Sequence, residues 1–215
     1  EDYTTGHPAL SEDGSTLFFI SDMPGTLGGK DIFMVKWNSA DSTWGTPTNL
    51  GSAVNTTADE MYPYVSASGK LYFSSNGHPG MGGLAIFHAA DASGVWGDVN
   101  NIKSPMNSPG DDFGIMFDGP ITGFLTSNRE GGLGADDIYS FRIPPPIFSV
   151  ACRVYDTDTK EIISDATVEL FGSDGTSLSV KTGSDGMYRY ELKPEAKYKV
   201  SASYTGYLTK LLEVA

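Results

Sequence analysis

Ser127-Asn128-Arg129-Glu130-Gly131-Gly132-Leu133-Gly134-Ala135-Asp136-Asp137-Ile138-Tyr139 is a glycine-rich loop that runs directly into an aromatic strand, and the chain carries this phrase three times. The earlier copies run from Ser21-Asp22 through Gly28-Gly29 to Asp31-Ile32-Phe33, and from Ser75-Asn76 through Gly82-Gly83 to Ala85-Ile86-Phe87. Their opening serines lie 54 and then 52 residues apart. A unit of about fifty residues built only from strands and turns predicts the blade of a β-propeller.

Each copy has the same internal order. A short first strand carries His7-Pro8-Ala9-Leu10, Tyr62-Pro63-Tyr64-Val65 or Phe113-Gly114-Ile115-Met116, which aligns His7 with Tyr62 and Phe113. Turns follow at Ser11-Glu12-Asp13-Gly14 and Ser66-Ala67-Ser68-Gly69, where Gly supplies positive φ and Asp or Ser bonds nearby amides. The second strand is Leu17-Phe18-Phe19-Ile20, Leu71-Tyr72-Phe73-Ser74 or Gly123-Phe124-Leu125-Thr126, and the glycine loop then leads to the third.

A fourth segment occurs in two copies only. Trp44-Gly45, Asn49-Leu50, Asn55 and Asp59-Glu60 recur 52 residues later as Trp96-Gly97, Asn101-Ile102, Asn107 and Asp111-Asp112. In the third copy, Pro144-Pro145-Pro146 occupies the place of the tryptophan strand; proline cannot donate to a ladder, so a linker is expected. The expected fold is therefore all-β. A partial propeller of three blades, the third lacking its outer strand, fills residues 1–143, and a proline linker fills 144–146. Propellers close with about four to eight blades. The ring is thus expected to be completed by blades and a strand upstream, or by association of two chains.

Residues 147–215 change character. Phe148/Val150/Cys152/Val154, Tyr188/Tyr190/Leu192 and Tyr198/Val200/Ala202/Tyr204 alternate with the period of half-buried strands. Turns are marked at Gly172-Ser173-Asp174-Gly175 and Gly183-Ser184-Asp185-Gly186, which predicts a small β-sandwich.

Composition narrows function. Fourteen Lys and Arg against 27 Asp and Glu give a net charge of −13, which disfavours nucleic acid and anionic lipid as partners. No apolar run reaches the roughly twenty residues of a membrane-spanning helix. The single cysteine, Cys152, permits no intrachain disulfide and is expected to be a small buried hydrophobe.

Catalytic signatures are sparse, and no catalytic, cofactor-binding or metal site is assigned. The glycine loops are followed by strands rather than by the helix N-terminus that a phosphate cradle needs, and Gly29-Lys30 has Asp31 in place of Ser or Thr. His7, His78 and His88 have no metal-ligand spacing; His7 is expected within a blade and His78 exposed. Asp59-Glu60 and Asp111-Asp112 are adjacent on strands and so point to opposite sides, which excludes a glycosidase pair. Asp31 and Asp137 are expected to bond their own loop amides. Asp13, Asp156, Asp158, Asp174 and Asp185 are expected in solvated turns.

Ser11-x-Asp13-Gly14-x-x-Leu17-x-Phe19 resembles the PD40, TolB-like or WD40-like propeller repeat. The 127–139 phrase, with Trp44-x-x-Pro47-x-Asn49-Leu50, resembles the form found in OmpA-family proteins of Bacteroidetes. The second copy departs at Gly77, Ala85 and Val99. Val154-Tyr155-Asp156, Ala166-x-Val168-x-Leu170, Thr182-x-x-Asp185-Gly186-x-Tyr188 and Tyr198-x-Val200 are similar to the carboxypeptidase regulatory-like domain, a transthyretin-type sandwich. Cys152 and Lys160 occupy positions where glycine is usual there, and Ile162 one where proline is usual. A propeller followed by this sandwich resembles the PorE-like periplasmic accessory proteins of the type IX secretion system. That resemblance implies a non-catalytic scaffold of the cell envelope, periplasmic and outer-membrane-associated. Its expected partners are envelope and secretion-system proteins, and peptidoglycan is reached only through an OmpA-like domain outside this sequence. A glycan- or peptide-binding propeller, or the accessory propeller of a hydrolase, are the alternatives.

Overall fold

The computed structural model describes residues 2–92, 94–144 and 146–214, and among these there is no helix. The chain divides into two compact units, Glu1–Pro144 and Pro145–Ala215, so the division falls within the proline run, where Pro145 lies outside the described residues.

The first unit is a series of antiparallel meanders. β1 (Thr5–Leu10), β2 (Thr16–Ser21), β3 (Asp31–Asn38) and β4 (Thr43–Trp44) pair in that order, with β5 (Thr48–Asn49) also on β3. β6 (Glu60–Val65), β7 (Leu71–Ser75), β8 (Ala85–Ala92) and β9 (Val95–Asn101) form the second sheet. β10 (Asp112–Phe117), β11 (Thr122–Ser127) and β12 (Asp137–Arg142) form the third, which ends at β12.

Successive sheets bury their apolar faces on one another. Phe18, Ile20 and Ile32 of the first sheet share a core with Leu71, Phe73, Ala85 and Phe87 of the second, plugged by Leu50 and Val54. On the other side of the second sheet, Ile86 packs with Ile115 and Leu125 of the third. The two faces of a strand point oppositely, so Phe87 serves one interface while its neighbour Ile86 serves the next.

Each first strand is bulged against its partner, between Gly6 and Ala9, Met61 and Tyr64, and Phe113 and Met116. The pairs Thr5–Ser21, Glu60–Ser75 and Asp112–Ser127 fix the register. They align His7 with Tyr62 and with Gly114, not with Phe113, which corrects the sequence alignment by one residue. These three residues share left-handed backbone, φ 46°, 53° and 62°. Glycine adopts it without strain, whereas His7 and Tyr62 adopt it at a steric cost.

Asparagines tie the fourth segments to the third strands. The Asn55 Oδ1 accepts the Ile32 N–H and its Nδ2 donates to the Ile32 carbonyl. Asn107 does the same to Ile86. Leu50 and Ile102 add main-chain bonds from their N–H groups to the same two carbonyls.

In the second unit β13 (Phe148–Arg153) pairs with β16 (Met187–Leu192), and the other sheet runs β15 (Ser177–Lys181), β14 (Thr167–Gly172), β17 (Tyr198–Ser203), β18 (Lys210–Val214). Val168, Leu170, Tyr188, Tyr190, Tyr198 and Val200 make its core, with Val150, Cys152 and Val154 packed against it. Cys152 is half-buried rather than fully enclosed, and Phe148 at the start of its strand face is exposed.

Candidate functional site

The first strands of the three sheets bring an aromatic column together. His7 stacks on Tyr62 with ring centroids 4.2 Å apart, and Tyr62 stacks on Phe113 at 4.9 Å. All three rings are only partly buried. The left-handed backbone at Tyr62 leaves its N–H without a ladder partner, and the His7 Nδ1 accepts it at 3.2 Å. That bond needs a neutral imidazole. Burial, and then the Lys30 ammonium, hold the His7 pKa below its ordinary value. Phe113 completes the column although Gly114 has the register position of Tyr62, because a large ring one residue earlier reaches the same stack.

The other histidines lie apart from it. His78 is half-buried, not solvent-exposed as its loop position predicted: its Nε2 meets the Val54 carbonyl at 2.7 Å and its ring lies against Phe73 and Phe87. His88 sits beside Tyr72 with its Nδ1 buried and unpartnered, and burial followed by Lys70 lowers its pKa. Among the described residues, no group of three or more His, Cys, Asp or Glu could hold a metal ion.

The acids hold loops. The Glu60 carboxylate, fully buried, accepts from the Thr56 N–H, the Thr56 hydroxyl and the Ser75 hydroxyl. Asp112, equally buried, accepts from the Ser108 N–H and hydroxyl and pairs with Arg129 at 2.6 Å. Their sequence neighbours Asp59 and Asp111 face other loops, accepting from the Lys30 and Leu84 N–H groups. Asp31 accepts from the Leu27 N–H and the Asn49 side chain, and Asp137 from the Leu133 and Gly134 N–H groups. In the turns, Asp13 and Asp174 are each lowered to about 2, chiefly by the Ser11 and Thr176 hydroxyls. Asp185 accepts the Met187 N–H and Asp156 those of Asp158 and Thr159.

Sequence reasoning named Asn49, Asn55, Asn101 and Asn107 as recurring but gave them no role; their spacing was the signal. The same comparison exposes what the third sheet lacks. Ile32 and Ile86 are 0 % exposed, whereas Ile138, in the same register, is 77 % exposed and Leu133 is fully exposed. Among the described residues no strand pairs with the outer edge of β12.

The second unit carries an open groove of about 600 Å³ lined by Val154, Tyr155, Tyr188, Tyr204, Tyr207 and Leu208, among others. The Asp156 carboxylate, held low mainly by the Thr159 and Asp158 N–H groups, also bonds Tyr207 and pushes that phenol upward. Residues 149–215 match the family model of the carboxypeptidase regulatory-like domain. The second unit is that domain, and its Lys160, where glycine was the expected residue, is held at φ 64°. No curated protein matches the chain. No helix among the described residues is long and apolar enough to cross a membrane.

Proposed function

We propose that the chain is a non-catalytic docking module of the bacterial cell envelope. Its meanders act as propeller blades that offer edges and loops to envelope or secretion-system proteins, and its carboxypeptidase regulatory-like domain acts as a spacer. Supporting this are the face-to-face packing of successive sheets and the PD40-like repeat pattern. One observation carries the reading: the acids and amides at repeated positions, Glu60, Asp112, Asn55 and Asn107, are engaged in holding loops and neighbouring strands. Periplasmic location and peptidoglycan attachment through an OmpA-like domain outside residues 1–215 belong to the same proposal.

Cross-linking of the purified chain in envelope extracts of a Bacteroidetes bacterium tests it. Recovery of a secretion or gliding component supports the reading, and recovery of none overturns it.

A second reading rests on the aromatic column. Half-exposed rings on the first strands offer a stacking surface for a sugar or an aromatic peptide. Shifts of the His7, Tyr62 and Phe113 ring resonances on adding glycan fragments would favour it; unchanged resonances would remove it.

A further inference from the structure

We propose that the outer edge of β12 is a docking site for a partner segment of the pattern Asn-(Leu/Ile)-x-x-x-(Val/Met)-Asn that pairs at its first asparagine and then turns back, as residues 49–55 and 101–107 do. The chain itself shows what covers this edge. In the first sheet the cover is Asn49-Leu50 with Val54-Asn55, and in the second it is Asn101-Ile102 with Met106-Asn107. In both, the last asparagine brackets the N–H and carbonyl of the third-strand isoleucine, at 2.8 and 2.9 Å on Ile32 and at 2.8 and 2.8 Å on Ile86. The first asparagine reaches into the glycine loop, donating to the Gly25 carbonyl and Asp31 in one sheet and to the Pro79 carbonyl in the other.

The third sheet presents the same receptor, and among the described residues no strand pairs with it. Thr126–Ile138 and Ser127–Asp137 repeat the registers Ile20–Ile32 and Ser21–Asp31, so the Ile138 N–H and carbonyl point outward as those of Ile32 do. Gly131 and Asp137 occupy the places of Gly25 and Asp31. Ile32 and Ile86, each covered by the following sheet together with the asparagine-bearing segment, are 0 % exposed, whereas Ile138, with neither beside it among the described residues, is 77 % exposed. A partner segment with an aliphatic residue after its first asparagine would cover part of Ile138, as Leu50 and Ile102 do for Ile32 and Ile86, and its last asparagine would satisfy both main-chain groups. Strand addition of this kind takes affinity from main-chain bonds and specificity from side-chain pockets.

The proposal deepens the docking reading by naming the partner's chemistry. Its test uses only the purified chain and a defined peptide, so its failure is separable from failure of the extract experiment. The probe is a synthetic peptide with the sequence of residues 43–56, followed by backbone amide NMR and by fluorescence anisotropy of a labelled form. The expected result is saturable binding with shifts confined to β12 and the 131–137 loop. Changing the peptide's last asparagine to alanine should weaken binding about tenfold or more, because two buried main-chain groups lose their partners. In the chain, Ile138→Pro removes the outward N–H and should abolish binding, while the amide spectrum of the other two sheets reports that the fold is kept. Absence of saturable binding, equal binding of the alanine peptide, or a β12-to-β12 dimer that the peptide does not disperse would each overturn the proposal.

Discussion

The Asn55 side chain grips Ile32 at two points, accepting its N–H at 2.8 Å and donating to its carbonyl at 2.9 Å, although 23 residues separate them. Asn107 repeats the grip on Ile86. Both asparagines are essentially sealed from water, so each carboxamide does for the edge of a third strand what another strand's backbone would do.

Truncating the clamp should therefore be costly. Asn55→Ala leaves a buried N–H and part of a buried carbonyl unpartnered, and it should destabilise the first unit by about 2–4 kcal/mol. Trp37, Trp44 and Trp96 are the chain's tryptophans and all lie in that unit, so denaturant unfolding followed by tryptophan fluorescence isolates the effect. A loss under about 0.5 kcal/mol would mean that water replaces the carboxamide.

Glu60→Gln should lower stability by roughly 1–3 kcal/mol. The carboxylate takes three donors with its two oxygens, from Thr56 twice and Ser75 once, and the amide can offer only one acceptor oxygen. The same fluorescence assay applies, and a Ser75→Ala partner variant closes a double-mutant cycle whose coupling should be clearly non-zero.

Gly28 lies so close to the loop between β5 and β6 that a Cβ would collide with the Thr57 main chain. Gly28→Ala should cost about 1–3 kcal/mol through forced backbone movement. Gly14→Ala makes the contrast: its Cβ meets nothing, and only the φ of 70° resists it, at about 1 kcal/mol. Equal losses at the two sites would contradict the close approach.

His7 and His88 both have pKa values held below 6.5, in each case first by burial and then by a lysine, Lys30 or Lys70. The folded chain therefore binds fewer protons than the unfolded one in the window just below that value. The stability these groups contribute is present above pH 6.5 and is lost as pH falls through it. Histidine NMR titrations should give midpoints under 6.5 for both. The unfolding free energy of a His7→Gln/His88→Gln chain should fall less between pH 7.5 and 5.5 than that of the wild type. A midpoint at or above 6.5 for either ring would reverse the assignment of cause.

Lys160→Gly should raise the melting temperature of the carboxypeptidase regulatory-like domain by a few degrees, corresponding to about 0.5–1 kcal/mol. Lysine here is held at φ 64°, while its ammonium makes one exposed bond to the Thr157 carbonyl. Differential scanning calorimetry reads the change, and a lowered transition would show that the lysine's own contacts outweigh its strain.

Much of this architecture was legible because it is local and periodic. Strand alternation and the turn acids Asp13, Asp174 and Asp185 depend on neighbours within a few residues, and they bond where the sequence placed them. The first-strand alignment failed by one position because aromatic identity favoured Phe113, whereas the bulge demands a left-handed residue and found it in Gly114. The exposure expected of His78 failed for a different reason. A glycine loop reads as surface, yet its imidazole folds back over Phe73 to reach the Val54 carbonyl, a contact set by the neighbouring sheet. Asn55 and Asn107 escaped a functional assignment on the same ground: the residue each one serves is distant in sequence and becomes a neighbour only after the strands pair.

The bend that follows β3 tolerates length changes, since eleven residues separate Phe33 from Trp44 but nine separate Phe87 from Trp96. Its residues from Ser39 to Ser42 are fully on the surface and far along the chain from both the ring column and the β12 rim. A fluorescent or affinity handle inserted after Ala40 would thus ride on a natural splice point, allowing the molecule to be followed in living cells with its recognition surfaces untouched.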